Sequence, residues 1–79
     1  MIAKIVMLYL QVFNAGTGDL LYETHMKMPS FSVSGNRMED CRIEGVRMAL
    51  ELTTKYKNRG YEYASTNVKC WWEEDGEDL

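Results

Sequence analysis

The side chains best suited to chemistry in this sequence are two cysteines, Cys41 and Cys70, and a single histidine, His25. A thiol beside an imidazole can act as a nucleophile with its general base, but nothing in the local sequence places these residues together. The set is also too small for a zinc cluster or a disulfide scaffold. Since cysteine commonly behaves as a small buried hydrophobe, we predict that both thiols point into the core and are reduced. They could approach each other where the helix packs on the last strand.

The segment nearest to a phosphate-binding loop is the turn Gly16-Thr17-Gly18. It lacks the remaining residues of both nucleotide-binding fingerprints, whose spacing lets backbone amides surround a phosphate. No set of nucleophile, general acid and general base can be named elsewhere in the chain. The sequence therefore predicts a protein that is not an enzyme, with no catalytic residues, no cofactor and no metal.

The elements that must position any functional residue are indicated by changes in hydrophobic period along 79 residues, a length that allows one small domain. The segment 1–13 is apolar on both sides, as in a central strand. A Gly-rich turn joins it to 19–28, which alternates cleanly, so the two form a hairpin. The segment 61–74 alternates again as a long last strand.

Between the strands, Asn36 is a good N-cap and Glu39 follows three residues later, as in a capping box. A helix is therefore predicted over 37–58. Its core-facing residues are predicted to be Met38, Cys41, Gly45, Met48, Ala49, Leu52 and Tyr56, with Ile43, Val46 and Leu50 widening that face. Gly45 in such a face indicates a close approach to the sheet.

The predicted architecture is a two-layer α+β fold, β-β-α-β, with one long helix on one face of an antiparallel sheet. A single domain is expected over 1–74, followed by an acidic C-terminal tail over 75–79. The apolar N-terminal stretch is interrupted by Lys4 and is shorter than the roughly 20 residues that span a bilayer. With no cleavage site and two thiols predicted to be free, the sequence indicates a cytoplasmic protein without membrane association.

One helix can cover only one face of the sheet, so large apolar residues remain on the other face. They are Ile5, Met7, Tyr9 and Phe13 from the first strand, with Tyr61, Tyr63 and Trp71 from the last. A contiguous apolar patch of this kind usually marks an interface. Three explanations are open at this point: a β-bulge near 65–67 that turns these residues inward, a homodimer packed sheet to sheet, or a foreign partner.

A second candidate surface begins at Trp71 and Trp72, which run directly into Glu73, Glu74 and Asp75. Adjacent residues on a strand point to opposite faces, so one tryptophan is expected in the core and the other exposed. The acidic residues, with Glu77 and Asp78 beyond them, could meet a basic cleft on a partner. The alternative is a solvated tail that aids solubility.

In size, acidity and strand-helix-strand layout, the chain resembles small phage-encoded inhibitors, among them anti-CRISPR and host-takeover proteins. The resemblance covers the whole chain as a layout and brings no functional residue with it. Proteins of this kind are short and act by occupying a partner's surface, so the resemblance implies stoichiometric protein binding in the cytoplasm of a host cell.

These observations predict a non-enzymatic protein-binding module that inhibits a larger complex by blocking a basic, nucleic-acid-binding surface. A homodimeric structural module is one alternative, and nucleic-acid binding through aromatic residues of the open sheet face is the other. The formal net charge of −3 argues against nucleic acid as the partner. The basic residues of the helix are also interleaved with acidic ones and form no continuous stripe.

Overall fold

A computed structural model describes residues 3–29 and 32–75 of the chain. The elements follow in the order β1 (Ala3–Asn14), β2 (Leu20–Lys27), α1 (Arg37–Asn58) and β3 (Ala64–Asp75). The three strands form one sheet in the order β2-β1-β3, with β1 antiparallel to both neighbours. The predicted α+β fold with its helix against an antiparallel sheet is confirmed, and the central place of β1 explains why it is apolar on both sides.

The register between β1 and β3 decides which residues face the helix. It is continuous from Ala3 opposite Asp75 to Asn14 opposite Ala64. A bulge near 65–67 would have interrupted this pairing, so that explanation for the apolar residues is wrong. A register shift occurs instead between β1 and β2, at Val12 and Phe13.

The core lies between α1 and the side of the sheet that carries alternate residues of β1. Val6, Leu8, Leu10 and Val12 have no exposed surface. From α1, the buried residues Cys41, Gly45 and Ala49 face them. A Cβ atom built on Gly45 would lie 2.5 Å from Val68 Cγ1, which confirms that the helix approaches the sheet closely at this glycine.

Both ends of α1 are set by local sequence. The Asn36 side chain accepts hydrogen bonds from the backbone N–H groups of Met38 and Glu39, at 3.0 and 3.1 Å. The capping box is only half formed, because the Asn36 N–H donates to Ser34 Oγ rather than to Glu39. Gly60 follows the helix with a φ of 101°, a conformation that favours glycine.

Three predicted positions differ from the structure. Ile43, Val46 and Leu50 do not widen the core face of α1, since 56%, 57% and 66% of their surfaces are exposed. The cause is geometric: the stripe of α1 that meets the sheet includes Gly45 and Ala49, and these three side chains project from the far side of the helix.

The strand boundaries also differ slightly from the prediction. β3 begins at Ala64 rather than at residue 61, because a turn after Gly60 precedes it. It continues through Asp75, one residue beyond the predicted end of the domain. The remainder of the predicted acidic tail, 76–79, lies outside the described residues, as do 30 and 31.

The prediction of two reduced thiols is wrong in this structure, because Cys41 and Cys70 form a disulfide. Their Cα atoms lie 6.3 Å apart, within the range that a disulfide requires. The expectation that both cysteines point toward the core holds, since Cys41 is fully buried and Cys70 packs against the core cluster. The close approach at Gly45 brings the helix near enough to β3 for the bond. In the described part of the chain, α1 is not apolar enough to be a membrane-spanning helix.

Candidate partner-binding surface

The side of the sheet that faces away from α1 is the main candidate surface, and we refer to it as the open face. Its central row comes from β1 and consists of Ile5, Met7, Tyr9, Gln11 and Phe13. Because strands alternate, the neighbouring rows are given by the pairing register. They are Glu23, His25 and Lys27 from β2, and Ser65, Asn67, Lys69, Trp71 and Glu73 from β3.

Tyr9 occupies the centre of the open face, between His25 of β2 and Lys69 of β3. The Tyr9 and His25 rings lie 4.8 Å apart between centroids and are tilted by 42°. The Tyr9 hydroxyl donates a hydrogen bond to Glu23 Oε2 at 2.7 Å. This bond is the main reason that the pKa of the Tyr9 hydroxyl is raised. The ring is therefore held in place by β2, with its polar atom already engaged.

Trp71 lies on the open face beside Met7, its pairing partner on β1. Its indole Nε1 donates a hydrogen bond to Glu73 Oε2 at 3.1 Å. Glu73 in turn pairs with Ile5, and Glu74 and Asp75 follow at the same edge of the sheet. The structure therefore places Trp71 of β3 next to Ile5, Met7 and Tyr9 of β1. The Glu73 carboxylate lies at the end of this group of large side chains.

Trp72 lies on the helix side of the sheet, 49% exposed. The Arg37 guanidinium is 5.2 Å from the centre of its ring, a cation–π arrangement. Arg37 also donates from Nη1 to the backbone carbonyl of Lys4 at 3.2 Å. Neither tryptophan is buried, so the expectation that one of them lies in the core is wrong. A three-stranded sheet with one helix leaves both faces open at this end of β3.

The two remaining predicted residues, Tyr61 and Tyr63, are not on the open face. They belong to the turn before β3, where the strand alternation used to place them does not apply. Tyr61 packs edge-to-face on Tyr56 of α1, with centroids 5.7 Å apart. The Tyr63 ring lies beside Gly16 in the hairpin turn. The structure therefore separates these tyrosines from Ile5, Met7 and Tyr9.

The partner-binding residues predicted from the sequence did not include the basic residues that β2 and β3 add to the open face. His25 and Lys27 come from β2 and Lys69 from β3, on either side of Tyr9 and Met7. The alternation of β2 was visible in the sequence, but its register against β1 was not. This arrangement has an apolar centre and charges of both signs at its edge. Such an arrangement is typical of a binding surface. The described residues contain no cluster of metal-binding side chains.

A second concave surface, a groove of about 520 Å³, lies between the end of β2 and the start of α1. Asp40 shapes one wall by accepting hydrogen bonds from Ser32 Oγ at 2.6 Å and from the N–H groups of Val33 and Ser34. These bonds, led by that of Ser32, lower the pKa of the Asp40 carboxyl. The groove is lined on one side by Pro29 and Val33, and the residues between them are not all described, so the open face is the better-defined candidate.

Comparison with known proteins identifies no relative. No family model matches the chain, and neither a curated protein nor a solved structure matches it.

Proposed function

We propose that this protein is a non-enzymatic binding module that engages a protein partner through the open face. The observation that supports this is the state of the central aromatic residues. The polar atoms of Tyr9 and Trp71 are bonded to Glu23 and Glu73 of the same face. Their rings, together with Met7, remain partly exposed to solvent. Tyrosine and tryptophan in such positions are the residue types most often responsible for binding energy at interfaces.

The acidic edge beside Trp71 suggests the kind of partner. Glu73 lies on the open face opposite Ile5, and Glu74 and Asp75 follow it along β3 at the same end of the sheet, Glu74 on the helix side. Carboxylates at the edge of an interface mainly accelerate encounter with a basic surface, and this effect decreases with salt. A basic site on a larger complex, such as one that binds nucleic acid, is the proposed target, and occupation of it would be inhibitory. The resemblance in size and layout to small phage-encoded inhibitors, inferred from the sequence, implies the same role.

Partner capture tests this proposal, because the chain offers a matched control. Trp71→Ser removes the tryptophan of the open face, whereas Trp72→Ser removes its neighbour on the opposite side of the sheet. We expect a tagged wild-type protein to retain a partner from cells of its source, Trp71→Ser to lose it, and Trp72→Ser to keep it. Circular dichroism would verify that both variants are folded. A third variant, Tyr9→Ser, tests the centre of the open face. If Trp71→Ser and Tyr9→Ser both retain the partner as well as the wild type does, the proposal is overturned.

The acidic edge makes a separate kinetic prediction once a partner is in hand. Glu73→Gln with Glu74→Gln should slow association and flatten its salt dependence, with little change in the dissociation rate. Trp71→Ser should instead accelerate dissociation. If the association rate of the doubly substituted protein depends on salt as strongly as that of the wild type, the partner surface is not a basic one.

Nucleic-acid binding is a second candidate because of the basic residues that the structure adds to the open face. His25, Lys27 and Lys69 surround Tyr9, and bases stack on aromatic rings in such settings. Fluorescence anisotropy with a labelled single-stranded RNA distinguishes the two candidates. Binding that falls with salt and is lost in Tyr9→Ser would favour nucleic acid over a protein partner.

The compartment in which the module acts is linked to the Cys41–Cys70 bond. The cytoplasmic location predicted from the sequence depends in part on free thiols, and disulfides are rare in a reducing cytoplasm. The host cytoplasm is what the resemblance to phage-encoded inhibitors implies. Alkylation of freshly lysed source cells, followed by intact-mass measurement, decides the question. Double alkylation would place the protein in a reducing compartment. An unalkylated protein, lighter than the reduced chain by the mass of two hydrogens, would place it in an oxidising one.

A further inference from the structure

The outer side of α1 carries an apolar stripe that no part of the described chain covers. Ile43, Val46 and Leu50 are each more than half exposed. Their spacing of three and four residues places them on one line along the helix. They lie away from Cys41, Gly45 and Ala49, which face the sheet. We call this line the outer stripe.

The outer stripe continues at both ends with residues of opposite charge. At the same spacing, Glu39 precedes Ile43, and Thr53 and Lys57 follow Leu50. The six positions form a heptad pattern of the kind that packs two helices together. Glu39 lies in the first turn of α1, where Asp40 adds a second acid, while Lys57 lies in the last turn with Lys55. The stripe is therefore acidic at one end, apolar in the middle and basic at the other end.

We infer that the outer stripe pairs with the outer stripe of a second copy of this chain, in antiparallel orientation. With the twofold axis at the level of Met48, Val46 lies opposite Leu50 of the second copy. In the same register Ile43 lies opposite Thr53, and Glu39 lies opposite Lys57. The acidic end of each stripe then lies beside the basic end of the other. The Glu39–Lys57 contact forms twice, because a twofold interface is self-complementary.

The charge pattern favours this occupant and this direction. A parallel pair would bring the two Glu39 carboxylates together and align the helix dipoles, whereas the antiparallel pair opposes them. Glu39 already lies 3.6 Å from Arg42 of its own helix, but both side chains are exposed and such pairs contribute little. Arg47, beside the stripe, is paired within its helix to Glu44 and Glu51. The charges left to select a partner are those at the two ends.

The size of the interface predicts a weak and rapidly exchanging dimer. From Glu39 to Lys57 the stripe is about 27 Å long at 1.5 Å per residue. One helix pair of this length buries less than the roughly 800 Å² per partner of a standard interface. The dimer leaves both open faces free, on separate sheets. This inference is therefore independent of the proposed function.

Sedimentation equilibrium at low salt tests the inference, with protein concentrations reaching on the order of 1 mM, where weak interfaces associate. We expect the weight-average mass to rise above the 9.2 kDa of one chain. Leu50→Glu should remain monomeric, and because Leu50 is exposed the fold should be unaffected. Tyr9→Glu, on the open face, should associate like the wild type. A wild type that stays monomeric throughout would overturn the inference. So would an association that Tyr9→Glu abolishes and Leu50→Glu does not, since this would indicate a sheet-to-sheet dimer.

A charge-reversal cycle tests the antiparallel direction. Glu39→Lys and Lys57→Glu should each weaken the dimer by roughly two- to tenfold, because each places like charges together at both ends of the stripe. The two substitutions combined should restore most of the wild-type affinity. Thermal melting of each variant by circular dichroism ensures that association is measured on folded protein. Failure of the combined variant to recover would overturn the antiparallel pairing.

Discussion

At the scale of single residues, the Cys41–Cys70 bond is expected to contribute strongly to stability. It closes a loop with a sequence separation of 29 residues. A crosslink over a loop of this length is expected to stabilise the fold by about 3–4 kcal/mol, mainly by restricting the unfolded chain. Urea unfolding with and without a phosphine reductant should therefore show a clearly lower midpoint for the reduced protein.

The control for this comparison is the double variant Cys41→Ala with Cys70→Ala, whose midpoint should not respond to the reductant. If the wild type also fails to respond, while mass spectrometry shows that the bond has been reduced, then the crosslink does not contribute to stability.

Asp40 provides a pH-dependent test of how the segment before α1 is held. Its pKa is lowered by hydrogen bonds from Ser32, Ser34 and Val33. A carboxyl with a lowered pKa in the folded state stabilises that state above the ordinary aspartate pKa of about 3.9, and this contribution is lost as pH falls through the lowered value. Amide exchange monitored by NMR should show Val33 and Ser34 losing protection across that acidic interval. Asp40→Asn should reduce their protection at neutral pH. Protection that is the same in Asp40→Asn would contradict this role.

At the scale of elements, Gly45 determines how closely α1 packs on the sheet. Gly45→Ala should improve helix propensity by about 0.5–1 kcal/mol. The added Cβ would lie 2.5 Å from Val68 Cγ1, however, and Leu8 Cδ1 would be 3.5 Å away. Overpacking of this kind typically costs about 1–3 kcal/mol, so we expect net destabilisation in urea unfolding.

The double variant Gly45→Ala with Val68→Ala separates overpacking from other causes. Removal of the Val68 methyl groups makes room for the new Cβ, so the two effects should not be additive, and Gly45→Ala should cost less in the Val68→Ala background. Additive effects would indicate that the helix does not approach the sheet at this position.

The ends of α1 could be predicted from the sequence because they depend on local residues. Asn36 and Gly60 act on backbone groups within a few positions of themselves, and the structure has both in these roles. The buried side of the helix was harder to predict, because its width depends on how the helix lies on the sheet. Val46 and Leu50 belong to the outer stripe. An apolar stripe that packs against a second chain has the same periodicity as one that packs into the core, so the sequence pattern does not distinguish the two.

The candidate surface was predictable where alternation alone determines the face. Met7, Tyr9 and Trp71 were placed correctly on the open side for this reason. Tyr61 and Tyr63 were not, since the turn after Gly60 includes a hydrogen bond from Ala64 N–H to the Tyr61 carbonyl. The disulfide was equally out of reach of local patterns, because it depends on the docking of α1 against β3.

At the scale of the whole molecule, α1 packs on β1 and β3, whereas β2 is paired with β1 along one edge. Side chains such as Tyr56, whose hydroxyl lies 3.4 Å from the Leu21 carbonyl, connect the helix to β2. Native-state hydrogen exchange should therefore show the β1–β2 amides opening at a lower free energy than the β1–β3 amides. Reduction of the disulfide should bring the two opening free energies closer together, because β3 then loses its covalent link to α1. Equal opening energies in the oxidised protein would show that the sheet unfolds as one unit.

The antiparallel pairing of Ala3 with Asp75 has a mechanical consequence. Tension applied between these two residues pulls the strands apart at one end of the β1–β3 ladder. The residue pairs then separate one at a time, and the hydrogen bonds of the ladder do not bear the force together. In the oxidised protein the pulled path passes directly from Cys41 to Cys70 across the sulfur atoms. The polypeptide between the two cysteines bears no tension while the bond is intact. Reduction would release about 100 Å of additional contour length from this segment, at roughly 3.5 Å per residue. An optical-tweezers record would thus show a soft, progressive opening whose final extension reports the redox state of the two cysteines.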